Sequence, residues 1–195
     1  MHIILRRFPG AAPLAEEGMS KVRATLIPML QEHKGWQGYI GFPTEQGDII
    51  TCTMYSDATA AKELAAKAIA WVQENMSMLP TPEVFTGEVR AHMALEGAGQ
   101  NLYCIVRKGE NAPAPGSKFM GTEMVNSVKD LPGFKGAYVM RSTDDPTKTA
   151  TMWFCDTREQ AMVVHESTIG FTKEHHPGLN IRLVGSGEAG IVVMP

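Results

Sequence analysis

The chain has 195 residues, of which 44% are apolar and 20% charged, with a formal charge of −3. That composition belongs to an ordinary soluble globular protein and excludes disordered, fibrous and membrane-embedded classes. No cationic run is longer than Arg6-Arg7 and no apolar stretch approaches ~20 residues, so neither nucleic acid nor a membrane is expected as a partner.

In chain order, residues 2–8 form an apolar stretch broken by Arg6, Arg7, Pro9 and Gly10, which marks a strand rather than a signal peptide. A helix is predicted next, since Leu14, Val22, Leu26, Met29 and Leu30 recur at helical spacing, with Pro28 set to kink its last turn. Gly35 ends it. Trp36 to Phe42 and Ile49 to Tyr55 read as a hairpin around Gln46-Gly47-Asp48. Asp57 is an N-cap for a helix from Ala58 to about Met78, with Leu64, Ala68, Ile69 and Val72 on one face, and Val84 to Met93 is a closing strand.

The second half predicts the same order: strand 102–108, a Pro/Gly loop, helix about 116–129, strands 134–141 and 148–154, a helix and a final strand. Asp156-Thr157-Arg158-Glu159 reads as a capping box with Glu159 reaching back to the cap.

The halves also share residues. Gly35-Trp36-Gln37-Gly38 is answered by Gly133-Phe134-Lys135-Gly136, and Thr51-Cys52-Thr53-Met54-Tyr55 by Thr149-Ala150-Thr151-Met152-Trp153, both 98 residues on. Trp71 to Asn75 matches Phe171 to His175, and Thr86-Gly87-Glu88-Val89 matches Ser186-Gly187-Glu188-Ala189, both 100 residues on. Four blocks in one order predict a duplication, residues 1–96 and 100–195, joined by Glu96-Gly97-Ala98-Gly99.

The expected fold class is α+β: two tandem ferredoxin-like β-α-β-β-α-β units packed sheet to sheet within one chain. Each unit covers one sheet face with helices and leaves the other apolar face to be shielded by its twin, at ~25 cal/mol per Å² of apolar surface removed from water. The expected particle is a monomer with an internal pseudo-dimer, or a homodimer of it.

Trp71-Val72-Gln73-Glu74-Asn75, Leu79-Pro80-Thr81-Pro82-Glu83-Val84, Gly87-Glu88-Val89, Ile27-Pro28-Met29-Leu30 and Gly35-Trp36 together resemble the antibiotic-biosynthesis-monooxygenase-like (ABM-like) proteins of the dimeric α/β-barrel superfamily. The resemblance covers nearly all of the first half and, more loosely, the second. It implies an intramolecular dimeric α/β barrel, with a ligand cavity between each sheet and its two helices. That cavity would be lined from the first strand and the second helix. The activities it implies include cofactor-independent oxidation of phenolic or quinol compounds and haem degradation.

Candidate site residues follow. His165 has Ala161 and Ile169 one turn to either side on an apolar helix face, where a titrating imidazole would serve as the base of a cofactor-free oxygenase. The competing reading is a core histidine. Trp71, Tyr103, Tyr55 and Trp153 are candidates for binding a planar ligand, out of an aromatic set that also includes Trp36, Tyr39, Phe134 and Tyr138. Ordinary core packing explains much of that set, since Trp36 matches Phe134 and Tyr55 matches Trp153.

Arg6 is the remaining candidate. One of Arg6 and Arg7 must point toward the helices, where it needs an acid such as Glu88 or Glu188, or an anionic ligand, unless both lie exposed at a frayed strand end. Met120, Met124 and Met162 are core fillers or the wall of an adaptable pocket.

Cys52, Cys104 and Cys155 are far apart in apolar runs and are expected as buried free thiols of a cytoplasmic protein. No Cys/His spacing suggests a metal. No cofactor is expected, with haem as the alternative. For haem, Phe171 to His175 has the Phe-x-x-x-His spacing that the resemblance implies. The strand asparagine is absent from Leu102-Tyr103-Cys104-Ile105, His165 replaces a tryptophan, and the first half has Asn75 in place of a histidine. A non-catalytic ligand-binding or structural pseudo-dimer is the alternative to an enzyme.

Overall fold

The computed structural model describes residues 1–95, 101–114 and 121–195. The elements are β1 (His2–Phe8), α1 (Ala15–Lys21), a π-helical stretch (Val22–Leu26), α2 (Ile27–Gln31), β2 (Trp36–Pro43), β3 (Ile49–Tyr55), α3 (Ala58–Asn75), β4 (Glu83–Met93), β5 (Tyr103–Glu110), α4 (Gly121–Asn126), β6 (Phe134–Ser142), β7 (Thr149–Cys155), α5 (Arg158–His175), β8 (Asn180–Glu188) and β9 (Ile191–Val193). The expected joining segment Glu96 to Gly99, the first turn of the helix expected from 116, and Met120 lie outside the described residues.

The chain divides into two compact units, Met1–Thr86 with Ala189–Pro195, and Gly87–Glu188. β4 therefore contributes residues 83–86 to the first unit and 87–93 to the second, and β9 belongs to the first. The strands form one nine-stranded sheet in the order β8-β5-β7-β6-β4-β1-β3-β2-β9, continuous through β4 where two separate sheets were expected, and all described pairings are antiparallel.

Both faces of the central strands are buried. In the first unit Ile4, Tyr39 and Tyr55 face the helices, while Ile3, Leu5, Ile40, Cys52 and Met54 on the opposite face are equally inaccessible. This explains why the strands read as nearly continuous apolar runs instead of alternating ones. All three cysteines are buried and free. The hairpin between β2 and β3 turns at Gly47, whose φ of 90° lies in the left-handed region that only glycine adopts without strain.

The helix caps follow local chemistry. The Asp57 carboxylate accepts from the Ala60 N–H at 2.9 Å, as expected. The capping box of α5 lies one residue later than the sequence suggests: Thr157 is the cap and Gln160, not Glu159, reaches back to it. The first helical run is broken where Pro28 was expected to act. Proline has no N–H to give the preceding turn, and the chain passes through the π-helical stretch just before it.

Strand register corrects one part of the internal match. Thr51 pairs with Arg6, and Thr151 pairs with Arg107. Positionally, then, Thr51 corresponds to Thr151 and not Thr149, Thr53 to Trp153, Tyr55 to Cys155, His2 to Tyr103, and Arg6 to Arg107. The extra residues of the second half sit in the β6–β7 connection, which is why the β2/β6 match is offset by 98 residues and the β3/β7 match by 100. Tyr55 and Trp153 are therefore not counterparts.

Candidate ligand cavity in the first unit

On β1, side chains alternate between the two sheet faces, which puts Ile4, Arg6 and Phe8 on the helix side beside Ile49, Thr51 and Thr53 of β3. Facing them, α3 carries Ala65 and Ala68, whose small side chains leave space between helix and sheet. The result is a cavity of 610 Å³ within the first unit. Its wall also takes in Met19, Leu26, Tyr39, Trp71 and Met76. Ile69 and Val84 line it too while remaining 50% and 55% exposed, so they stand at its opening. The sequence had assigned Ile69 to the buried face. Ile69 instead forms part of an apolar rim.

Arg6 is 8% exposed, which excludes the frayed strand end. Among the described residues no carboxylate pairs with it: Glu88, one expected partner, pairs with Arg90 at 2.8 Å, and Glu188 is exposed. The neighbouring Arg7 is the cation that found an acid, at 2.6 Å from Asp48 and 3.0 Å from Glu83. Burial alone would raise the pKa of Asp48, but the Gly10 N–H and Arg7 outweigh it and hold the carboxyl below its usual range.

Above Arg6, burial pushes the Tyr39 hydroxyl well up, against the pull of Arg6 and of a hydrogen bond with Thr51. The Tyr55 hydroxyl is buried without a partner at hydrogen-bond geometry. Burial raises its pKa, and the Arg6 charge offsets part of that rise. Trp71 is held in the wall by its indole N–H, which donates to Thr25 Oγ1 at 3.0 Å.

Among the described residues, the corresponding place in the second unit is nearly filled. The void beside Arg107, Thr151 and Thr172 measures 20 Å³, enough for about one water. Trp153, 0% exposed, fills the region that Thr53 leaves open in the first unit. The cross-strand pair Tyr39–Thr53 has become Ala137–Trp153. His165 stands where the first unit has Ala65.

Arg107 lies 5.3 Å from the Trp153 ring centre and donates to Thr151 Oγ1 at 3.2 Å and to the His165 carbonyl at 3.3 Å, while its Nη2 has no partner. Burial lowers its pKa to about 9.

Of the six residues singled out from the sequence, Arg6 and Trp71 line the 610 Å³ cavity, and Tyr55, Tyr103, Trp153 and His165 do not. Tyr55 is buried in the first core, and Tyr103 and Trp153 in the second. His165 is half-buried on α5. Burial and the Arg107 charge lower its pKa, partly opposed by Glu166, and its Nδ1 is buried without a partner.

Thr51 and Ala65 are site residues that the sequence reading missed, and Tyr39 was named in the aromatic set without being singled out. The signal for them was available, since Tyr39 and Thr53 are cross-strand neighbours once the hairpin is drawn. Among the described residues no histidine or cysteine lines the cavity, so this wall offers haem iron no imidazole or thiolate. His175 packs on Phe171 at 4.3 Å, in the second unit.

No family model matches the chain, and no curated protein matches its sequence. Solved structures do match in fold. A provisionally assigned monooxygenase from Lactobacillus acidophilus NCFM superposes with a TM-score of 0.71 at 12% identity, covering 100% of this chain and 98% of that one. An anthrone oxidase-like protein gives 0.66 at 10%, covering 99% and 92%. A mutant chlorite dismutase from Candidatus Nitrospira defluvii gives 0.64 at 10%, covering 97% and 90%. At such identities the likeness concerns fold alone: this chain shares an α+β fold with these proteins along nearly its whole length.

Proposed function

We propose that the chain arose by duplication of a ferredoxin-like unit and binds a small, largely apolar organic molecule in the cavity of its first unit, where it acts as a cofactor-independent oxygenase of a phenolic or quinol-like compound. The observation that carries this reading is the 610 Å³ space with one cationic side chain, Arg6, and three aromatic ones, Phe8, Tyr39 and Trp71, in an otherwise mostly apolar wall. That volume falls in the range of small-molecule sites. The fold neighbours include a provisionally assigned monooxygenase and an anthrone oxidase-like protein, which is where the reaction class comes from.

The chemistry needs an electron-rich substrate anion that reduces dioxygen directly. Oxidation of an activated CH₂ to C=O consumes one O₂, leaves one oxygen atom on carbon and releases the other as water. Arg6 would favour the anion electrostatically, and its proton would pass to solvent through the opening at Ile69 and Val84. His165, the base expected from the sequence, lies in the second unit and does not line this cavity.

Dioxygen uptake with a hydroxyanthrone such as dithranol tests the proposal. Acceleration above the spontaneous rate that disappears in Ala65→Trp, a variant that fills the cavity, is the expected result.

A second reading is non-catalytic binding, favoured by the absence of Asp, Glu, His, Lys and Cys from the cavity wall. Binding of the anthrone without faster oxygen uptake would select it.

A further inference from the structure

The wall of the cavity is mostly apolar and Arg6 is the one charged side chain among its described lining residues, which bears on the charge of the ligand. The Arg6 guanidinium is more than nine-tenths buried and faces no carboxylate among the described residues. An isolated buried cation is unfavourable, and proteins normally pair it or give it hydrogen-bond acceptors.

The second unit shows what such neutral accommodation looks like at the same place in the sheet. Arg107 is held by the Thr151 hydroxyl, the His165 carbonyl and the face of Trp153, in a void with room for about one water. Arg6 lies beside the Tyr55 hydroxyl, has Thr53 where the tryptophan would be, and opens on 610 Å³. Arg6 lines the cavity, and a guanidinium offers the fork geometry that matches a two-oxygen anion.

We infer that the ligand is an anion: an apolar, ring-bearing molecule whose carboxylate or phenolate oxygen is bound by Arg6, with its body against Ile4, Leu26, Trp71 and Met76. This rests on the reading of the cavity as a small-molecule site and adds the ligand's charge and its orientation, head inward toward β1 and body toward the rim at Ile69. Tyr39 and Thr51 border the head group and supply hydroxyls for a second oxygen.

The test compares 2-naphthoate with its neutral isostere 2-naphthamide, by calorimetry on the full chain at neutral pH. Naphthoate should bind on the order of tenfold or more tightly than the amide, the preference expected of a charge-assisted pair over a neutral contact. The ratio should fall to about one in Arg6→Gln and recover in part in Arg6→Lys. Binding of 2-naphthol that tightens as pH rises through its ionisation would assign the site to phenolates, and binding that stays flat would assign it to carboxylates.

Equal affinity of the wild-type chain for naphthoate and naphthamide overturns the inference while leaving the cavity a binding site. No binding of either, together with no displacement of the neutral dye N-phenyl-1-naphthylamine, removes the cavity reading itself. The wild-type comparison decides the matter even if Arg6→Gln does not fold.

Discussion

The two units have the same strand order and equally long second helices, Ala58–Asn75 and Arg158–His175, yet one encloses 610 Å³ and the other 20 Å³. Backbone architecture therefore does not make the pocket. Three substitutions between corresponding positions account for much of the difference: Thr53 against Trp153, Ala65 against His165, and Tyr39 against Ala137. Moving the large aromatic side chain from β2 to β7 carries its volume to a different place over the sheet. An imidazole in place of a methyl group then narrows what is left. The arginine is present in both units, so its role depends on whether the space before it is filled.

The largest expected effect comes from emptying the filled unit. Trp153→Ala removes a fully buried indole and the ring over Arg107, and should destabilise the chain by about 3–5 kcal/mol in urea unfolding. Thr53→Ala at the corresponding place, next to space that is already open, should cost about 1 kcal/mol. Comparable losses for the two would mean that the units are packed alike. Next in size is closing the open unit with its twin's residue: Ala65→His should weaken binding of 2-naphthoate about tenfold, roughly 1.4 kcal/mol, with little change in the unfolding midpoint. Unaltered affinity would place the ligand elsewhere.

Much of this contrast could have been read before any coordinates. The order β-α-β-β-α-β in both halves, the Asp57 cap, and Arg6 and Trp71 as residues to watch all follow from local chemistry and periodicity. The pocket was hidden by register. Matching Thr51-Cys52-Thr53-Met54 to Thr149-Ala150-Thr151-Met152 is persuasive as text, but it sets Thr53 against Thr151 and conceals that Trp153 fills its place. The two helix caps, Asp57 and Thr157, lie 100 residues apart and already pointed to the other alignment. Cavity volume depends on which side chains oppose one another across strands, and composition carries none of that. His165 was placed correctly on an inward-leaning helix face, but periodicity does not distinguish a residue that lines a cavity from one that fills it.

The two arginines offer a finer comparison. Arg107 is buried with one nitrogen unpartnered and no acid at hand, so Arg107→Met, similar in length and apolar, should stabilise the chain by about 1 kcal/mol or more. Arg6→Met, beside an open cavity, should shift the unfolding midpoint less and act chiefly on binding. A destabilising Arg107→Met would mean that its contacts with Thr151, Trp153 and His165 outweigh the cost of burying the charge.

The smallest expected effect concerns His165 and turns on the direction of its shift. Burial and the Arg107 charge lower the pKa of the folded imidazole below its ordinary 6.5, against the weaker opposing pull of Glu166. As pH falls below about 6.5 the unfolded chain takes up a proton that the folded chain still resists, so the folded state loses stability through that window. The loss stops growing once the folded imidazole is also protonated. His165→Gln keeps a polar side chain of similar reach and removes the titration. The stability of the wild-type chain relative to this variant should therefore fall as pH is lowered from 7 to 5, by less than about 1 kcal/mol because the ring is only half-buried. Urea midpoints at matched ionic strength measure it, and the other histidines, present in both proteins, cancel in the difference. A relative stability of the wild-type chain that stays constant, or rises toward acid, would show that the imidazole is not held in its neutral form, and the picture of the second unit as a dry, filled counterpart of the first would have to change.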